Sequence, residues 1–242
     1  MEKALSFKGI SKTFNSKYIL KDVSFDIEKG KITAFLGQNG AGKTTTLRIA
    51  TGLLLPDKGG VLVDQEKIED AKKHVAFIPD YPYLYEELTG REYLKFIIQL
   101  TKLEISQEQV EKEIIYYGLN KEIDKLIKNL SLGNRKKLAL LGTLLNRPSV
   151  LLLDEFIAGI DPINMKRIKM ILKDYVTKWN NAILLSTHQL EVAETFCDAL
   201  ILIDNGVILK RESNLSNVLS GNGNLEEYFI NTLHINGDYK ND

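Results

Sequence analysis

The sequence predicts an α/β fold: a core with a mostly parallel sheet, an antiparallel β subdomain at the N-terminal end and an inserted α-helical subdomain. Three observations predict it. Short, almost wholly apolar segments alternate with a helical stretch in the second half of the chain, as strands buried on both faces do. The opening residues read as short β-segments divided by turn residues. Between them, from about Glu86 to Asn129, apolar residues recur at helical spacing among many charges.

Taken in order, Leu5 to Ile10, Val23 to Ile27 and Ile32 to Leu36 are strand candidates, separated by Asn15-Ser16 and Lys29-Gly30. The third runs straight into a glycine-rich turn. Thr44 to Gly52 then has helical character and stops at a glycine. Gly60 to Asp64 and His74 to Ile78 are further strands. In the charged middle stretch, Leu94, Ile97, Ile98, Val110 and Ile114 mark amphipathic helices. Val150 to Leu153, Ala182 to Ser186 and Ala199 to Ile203 complete the parallel set, with a helix over Pro162 to Trp179. Leu190 to Asp198 is helical. After Arg211 the chain is rich in Asn, Ser and Gly and reads as loosely ordered apart from Leu225 to Leu233.

Lys+Arg and Asp+Glu both number 32 in 242 residues. Zero formal charge argues against a protein built to neutralise a nucleic-acid backbone. The single cysteine, Cys197, forbids an internal disulfide and suits a reducing, intracellular compartment. In its helical setting it reads as a packed small hydrophobe. Residues 1 to 8 do not resemble a signal peptide. The longest uncharged apolar stretch, Leu138 to Asn146, is too short to span a bilayer. A membrane role would therefore come through a partner.

The chemistry starts at Gly37, Gln38, Asn39, Gly40, Ala41, Gly42, Lys43, Thr44, which satisfies G-x-x-x-x-G-K-[ST]. Glycines let several backbone N–H groups converge on one anion, and the helix that follows adds its positive dipole end. Lys43 is expected on the β- and γ-phosphates and the Thr44 hydroxyl on Mg²⁺; Thr45 adds a hydroxyl for the α-phosphate. This is a P-loop NTPase core with ATP as the expected nucleotide. Val150 to Leu153 ends in Asp154 and Glu155. If its strand lies next to the cradle strand, Asp154 can hold Mg²⁺ and Glu155 can accept a proton from the attacking water. His188, after the strand Ala182 to Ser186, is placed to touch the γ-phosphate or orient that water.

This ordered set, together with Leu130-Ser131-Leu132-Gly133-Asn134-Arg135-Lys136-Lys137-Leu138, resembles the nucleotide-binding subunits of ABC transporters over nearly the whole chain. The last segment is similar to the family signature LSGGQ. The resemblance implies that Ser131, Gly133 and Asn134 face an ATP held by a second copy, or a related subunit, and that Asp161 lies at the dimer seam. It implies that Phe14 stacks on adenine, with Tyr18 as a competitor. Asp80 stands where the family usually has a metal-reaching Gln, which makes it a further candidate for Mg²⁺ beside Thr44 and Asp154, and Leu132 replaces a signature glycine. A membrane permease is the implied partner, with Tyr81, Tyr83 and Tyr85 as candidate contacts, and the implied location is cytoplasmic, on the inner face of the membrane. The implied ATP-binding domain covers residues 1–212: core and β subdomain in 1–85 and 136–212, helical subdomain in 86–135. A tail with a short helix fills 213–242. The short segment between cradle helix and Asp80, and the helix near the end, look most like exporter subunits of the ABC-2 kind.

Three rival readings share parts of this evidence. A small-molecule kinase would share the cradle but not need the serine-glycine anion site. A non-transport ABC ATPase would usually carry a long coiled-coil insertion or a second fused domain. An ATP-binding regulator with weak hydrolysis is kept alive by Asp80.

Overall fold

The computed structural model describes residues 2–222 and 224–237. Strands β1 (Lys3–Phe14) and β2 (Lys17–Glu28) form a long antiparallel hairpin. Its two turn residues, Asn15 and Ser16, both have positive φ, the backbone that matches the twist of paired strands. β4 (Lys58–Val63) pairs with β1, and β5 (Glu66–Lys67) with β4, giving a four-stranded antiparallel sheet in the order β2-β1-β4-β5.

The second sheet holds six strands: β3 (Ile32–Leu36), β6 (Val75–Ile78), β7 (Val150–Asp154), β8 (Ala182–Thr187), β9 (Ala199–Asp204) and β10 (Val207–Glu212). Their order is β10-β9-β3-β8-β7-β6, parallel throughout except for β10 at one edge. β3, β7 and β8 are buried along their whole length, which explains their nearly unbroken apolar sequence. Alternate residues serve opposite faces. Leu151, Leu153, Ile183 and Leu185 join the larger apolar cluster, with α5 (Leu132–Leu144) and α6 (Pro162–Trp179). Val150, Leu152, Ala182 and Leu184 join the other, with the antiparallel sheet and α1 (Lys43–Ala50). Each fully buried Leu, Ile or Phe contributes roughly 1.5–3 kcal/mol.

The sheet order corrects one expectation. β7 is not the neighbour of β3; β8 lies between them. Neighbourhood in a parallel sheet is set by crossover connections, which local sequence does not report. The strand ends are nevertheless level: Leu36 is opposite Thr187, and Ser186 opposite Asp154.

The middle stretch forms α3 (Gly90–Thr101) and α4 (Gln107–Tyr116), each opened by a capping box, Thr89 with Glu92 and Ser106 with Gln109. Their buried Tyr93, Leu94 and Ile114 belong to the same cluster as α5 and α6. α2 (Ile68–Ala71) and α7 (Leu190–Phe196) are short.

The segment after Arg211 also departs from expectation. It carries α8 (Leu215–Asn222) as well as α9 (Leu225–Gly237), which runs beyond the anticipated Leu233. Leu215, Val218 and Leu225 are buried against the cluster that contains Val192 and Ala193 of α7, and Tyr228 donates a 2.7 Å hydrogen bond to Glu212 Oε1. A few well-spaced apolar anchors outweigh a polar composition there. Cys197 is buried, and burial pushes its thiol up to about 12, so it packs as a hydrophobe. Among the described residues no helix is long and apolar enough to cross a membrane.

Candidate functional site

The cradle is the turn from β3 to α1, and its shape depends on glycine at two points. A Cβ at Gly37 would lie 2.4 Å from the carbonyl oxygen of Ile203. Gly42, the N-cap of α1, has φ 109, and a Cβ there would meet Leu20 at 2.6 Å. The β9–β10 turn braces this loop from behind: Gly206 N–H donates to Ala41 O at 3.1 Å, and Lys21 N–H donates to Gly206 O at 2.8 Å. Gln38, Asn39 and Gly40 form the exposed rim, while Ala41, Gly42 and Lys43 are buried.

A cleft of about 330 Å³ opens over this turn, lined by Gln38, Asn39, Gly40, Gly42, Lys43, Thr44, Thr45, Asp154 and Glu155, with Phe14 and Ile19 at one side. Tyr18 instead lines a neighbouring cleft with Lys17, Lys21 and Asn205. Of the two aromatics, the structure brings Phe14 to the cradle. Phe14 is 46% exposed and has Lys12 Nζ 5.4 Å from its ring centroid.

Lys43 folds over the loop, donating to Gly37 O at 2.7 Å and Gln38 O at 3.2 Å, with its Nζ 3.6 Å from Glu155 Oε1. Thr44 Oγ1 donates to Asp154 Oδ2 at 2.7 Å, and Ser186 Oγ donates to Asp154 Oδ1. A buried carboxylate held on both oxygens beside a hydroxyl is an all-oxygen donor set, which fits a small hard cation such as Mg²⁺. Glu155 follows in the left-handed backbone region, φ 46. Its N–H donates to Ser186 O at 3.1 Å and Ser186 Oγ at 3.2 Å. His188 Nδ1 is 3.0 Å from Glu155 Oε1. Glu155 Oε2 is buried and has no hydrogen-bond partner.

Asp80 is held elsewhere: its Oδ1 is 3.3 Å from Lys136 Nζ. Ser131 caps α5, its hydroxyl accepting from the Asn134 N–H at 3.3 Å, and Gly133 is buried in the first turn of that helix. Asp161 caps α6, accepting from the Asn164 backbone N–H at 3.0 Å and from Asn164 Nδ2 at 2.7 Å. These bonds hold its carboxyl below the usual range. Tyr81, Tyr83 and Tyr85 are exposed, and Arg135 NH1 donates to the Tyr81 hydroxyl.

Within one chain, the structure thus gathers Phe14, residues 37 to 45, Asp154, Glu155 and His188. Sequence reasoning missed Ser186, Gly206 and Lys136. The Asn205-Gly206 pair, a strong hairpin signal, pointed to the brace. The role of Ser186 depends on its strand lying between β3 and β7, and nothing local reports that.

Comparison with known proteins identifies the architecture. The family model described as ABC transporter matches residues 20–158. The uncharacterized ABC transporter ATP-binding protein YdbJ of Bacillus subtilis (strain 168) is 36% identical over 211 residues, covering 86% of this chain and 68% of that protein. The lantibiotic transport ATP-binding protein SrtF of Streptococcus pyogenes is 30% identical over 231 residues, covering 95% of this chain and 97% of that protein. A solved structure described as the ATP binding subunit of an ABC transporter superposes with TM-score 0.83 at 27% identity, covering 95% of this chain and 99% of the other. With the glycine cradle, its lysine and the paired carboxylates in place, the chain belongs to the ABC transporter family, as one of its ATP-binding, ATP-hydrolysing subunits.

Proposed function

We propose that this subunit drives export through a separate membrane permease, by closing as a dimer around Mg²⁺ATP and opening after hydrolysis. The observation that carries the hydrolytic part is the Glu155 carboxylate. His188 engages Oε1 while Oε2 has no partner, and Glu155 lines the same cleft as Thr44 and Asp154. Lys43 leaves the carbonyls of Gly37 and Gln38 for the β- and γ-phosphates, and the backbone N–H groups of residues 38 to 44 cradle them. Phe14 stacks on the adenine, and Thr45 donates to the α-phosphate. Thr44 and Asp154 are the residues that would hold Mg²⁺, which when bound supplies neutralisation of phosphate charge. Glu155 takes the proton of the attacking water, and His188 fixes the carboxylate through Oε1 and reaches toward the γ-phosphate.

Ser131, Gly133 and Asn134 complete the site of the opposite copy, and Asp161 lies at the seam between copies. A ligand that binds the closed pair best shifts the population toward it. The exposed tyrosines 81, 83 and 85 suit contact with the permease on the inner face of the membrane. The relative named for lantibiotic transport supports a role in transport. Balanced net charge gives no support to a nucleic-acid partner.

Glu155→Gln tests the reading. Turnover should fall by roughly 10²-fold or more, while dimers accumulate in sedimentation runs with Mg²⁺ATP. Unchanged turnover would remove Glu155 from its role. A variant that stays monomeric at saturating nucleotide would remove the sandwich.

A further inference from the structure

Lys136 lies near the start of α5 in a run of basic residues, yet it is 1% exposed. Its Nζ donates to Ala158 O at 3.0 Å, is 3.3 Å from Asp80 Oδ1, and sits 5.5 Å from the Phe156 ring centroid. Burial holds its ammonium below the ordinary lysine range, opposed by Asp80 and by the more distant charge of Glu155. An ammonium removed from water needs a counter-charge and acceptors. Asp80 and the Ala158 carbonyl supply them. Asp80 is the half-solvated member, its side chain 65% exposed.

Three segments meet at this one atom: the loop after β6 through Asp80, the start of α5 through Lys136, and the loop between β7 and α6 through Phe156 and Ala158. Two further contacts bind the last two. A Cβ at Gly159 would lie 3.5 Å from Leu132 Cδ2, so the leucine that replaces a signature glycine packs over that loop. Asn164 of α6 is packed directly against Gly133. The loop begins at Glu155 and ends at Asp161, the cap of α6.

We infer that Lys136 is a positioning residue of the ATPase and that Asp80 is its counter-ion. The pair fixes the loop that carries Glu155 against the helix start that presents Ser131 and Gly133. A subunit's own catalytic loop and the surface it offers to the other nucleotide are thereby moved as one body. A negative charge at position 80, where the family usually has Gln, is matched by a positive charge at 136. This inference rests on the dimeric reading above for the use made of Ser131 and Gly133, but the ion pair itself does not.

The test uses Asp80→Asn, Lys136→Met and the double variant in the full chain. In nucleotide-free and Mg²⁺-free protein, Asp80→Asn strands a buried ammonium and should lower the melting temperature by about 4 °C or more. Lys136→Met replaces the charge by an apolar chain of similar length and should not lower it, and should cancel the loss in the double variant. Despite its intact stability, Lys136→Met should lower kcat by about tenfold. KM for ATP and the binding of a fluorescent ATP analogue should stay within about twofold. Additive melting shifts, or wild-type kcat in Lys136→Met, would overturn the inference. So would an Asp80→Asn protein that melts normally but needs more Mg²⁺ for half-maximal turnover, which would make Asp80 a metal ligand. If Glu155→Gln kept normal turnover, the hydrolytic assignment would fall while the melting cycle still decided the pair.

Discussion

Gly133 and Asn164 are in such close contact that a methyl group at Gly133 would lie 2.6 Å from Asn164 Nδ2 and 2.8 Å from its Cβ and Cγ. Gly133 is inside α5, so the demand is for space and not for an unusual backbone. Asn164 cannot yield freely, because two hydrogen bonds tie it to Asp161. α5 and α6 therefore share one packed contact. Gly133→Ala should part them and lower ATP turnover by about 10²-fold, the scale of an ångström-size misplacement. Binding of a fluorescent ATP analogue to the cradle should persist. Turnover assays beside fluorescence titrations check this, and full activity would contradict it.

Phe14 and Tyr18 offer a second test, since only Phe14 reaches the cradle cleft. Stacking of a base on an aromatic ring is worth roughly 1–3 kcal/mol. Phe14→Ala should weaken nucleotide binding by about tenfold, whereas Tyr18→Ala should leave it nearly unchanged. Equilibrium titration of both variants decides the matter, and the reverse ranking would reassign the adenine contact.

Glu113 gives a prediction about pH. It lines a cavity of about 260 Å³ with Tyr116, Tyr117, Arg147 and Trp179. Burial raises its carboxyl above the ordinary 4.5, against the pull of Arg147 and Lys178. A raised acid means that the folded state keeps its proton longer than the unfolded chain. Stability from this group is therefore greatest below its ordinary value and declines as pH climbs through the raised one. Glu113→Gln should melt higher than wild type near pH 8, with the gap narrowing toward about pH 4. Melting curves across that range test it; a gap that widens on acidification would show the opposite sign.

Much of this fold was legible because its strands are buried on both faces. Ile32–Leu36 and Val150–Asp154 are nearly continuous apolar runs, and no other element type explains such short ones so close to turn residues. The helix Pro162–Trp179 was legible at both ends. Asp161 and Pro162 open it, and Asn180 closes it in the left-handed region. Lys136 was not legible, since a lysine in a basic helix start ordinarily faces water; only packing against Phe156 and Asp80 shows otherwise. α8 was hidden by its Asn, Ser and Gly content, although Leu215 and Val218 have helical spacing. The cradle and the Asp154–Glu155 pair could be placed in sequence, but the hydroxyl of Ser186 that bonds both members of the pair comes from a strand inserted between β3 and β7.

The backbone at Glu155 lies where side chains bearing a Cβ are strained, at a cost on the order of 1 kcal/mol or more. Glycine or asparagine would rest there more easily. A screen of variants for heat resistance and a screen for phosphate release would therefore pull position 155 in opposite directions. The chain keeps a carboxylate at this position by tolerating a slightly less durable turn.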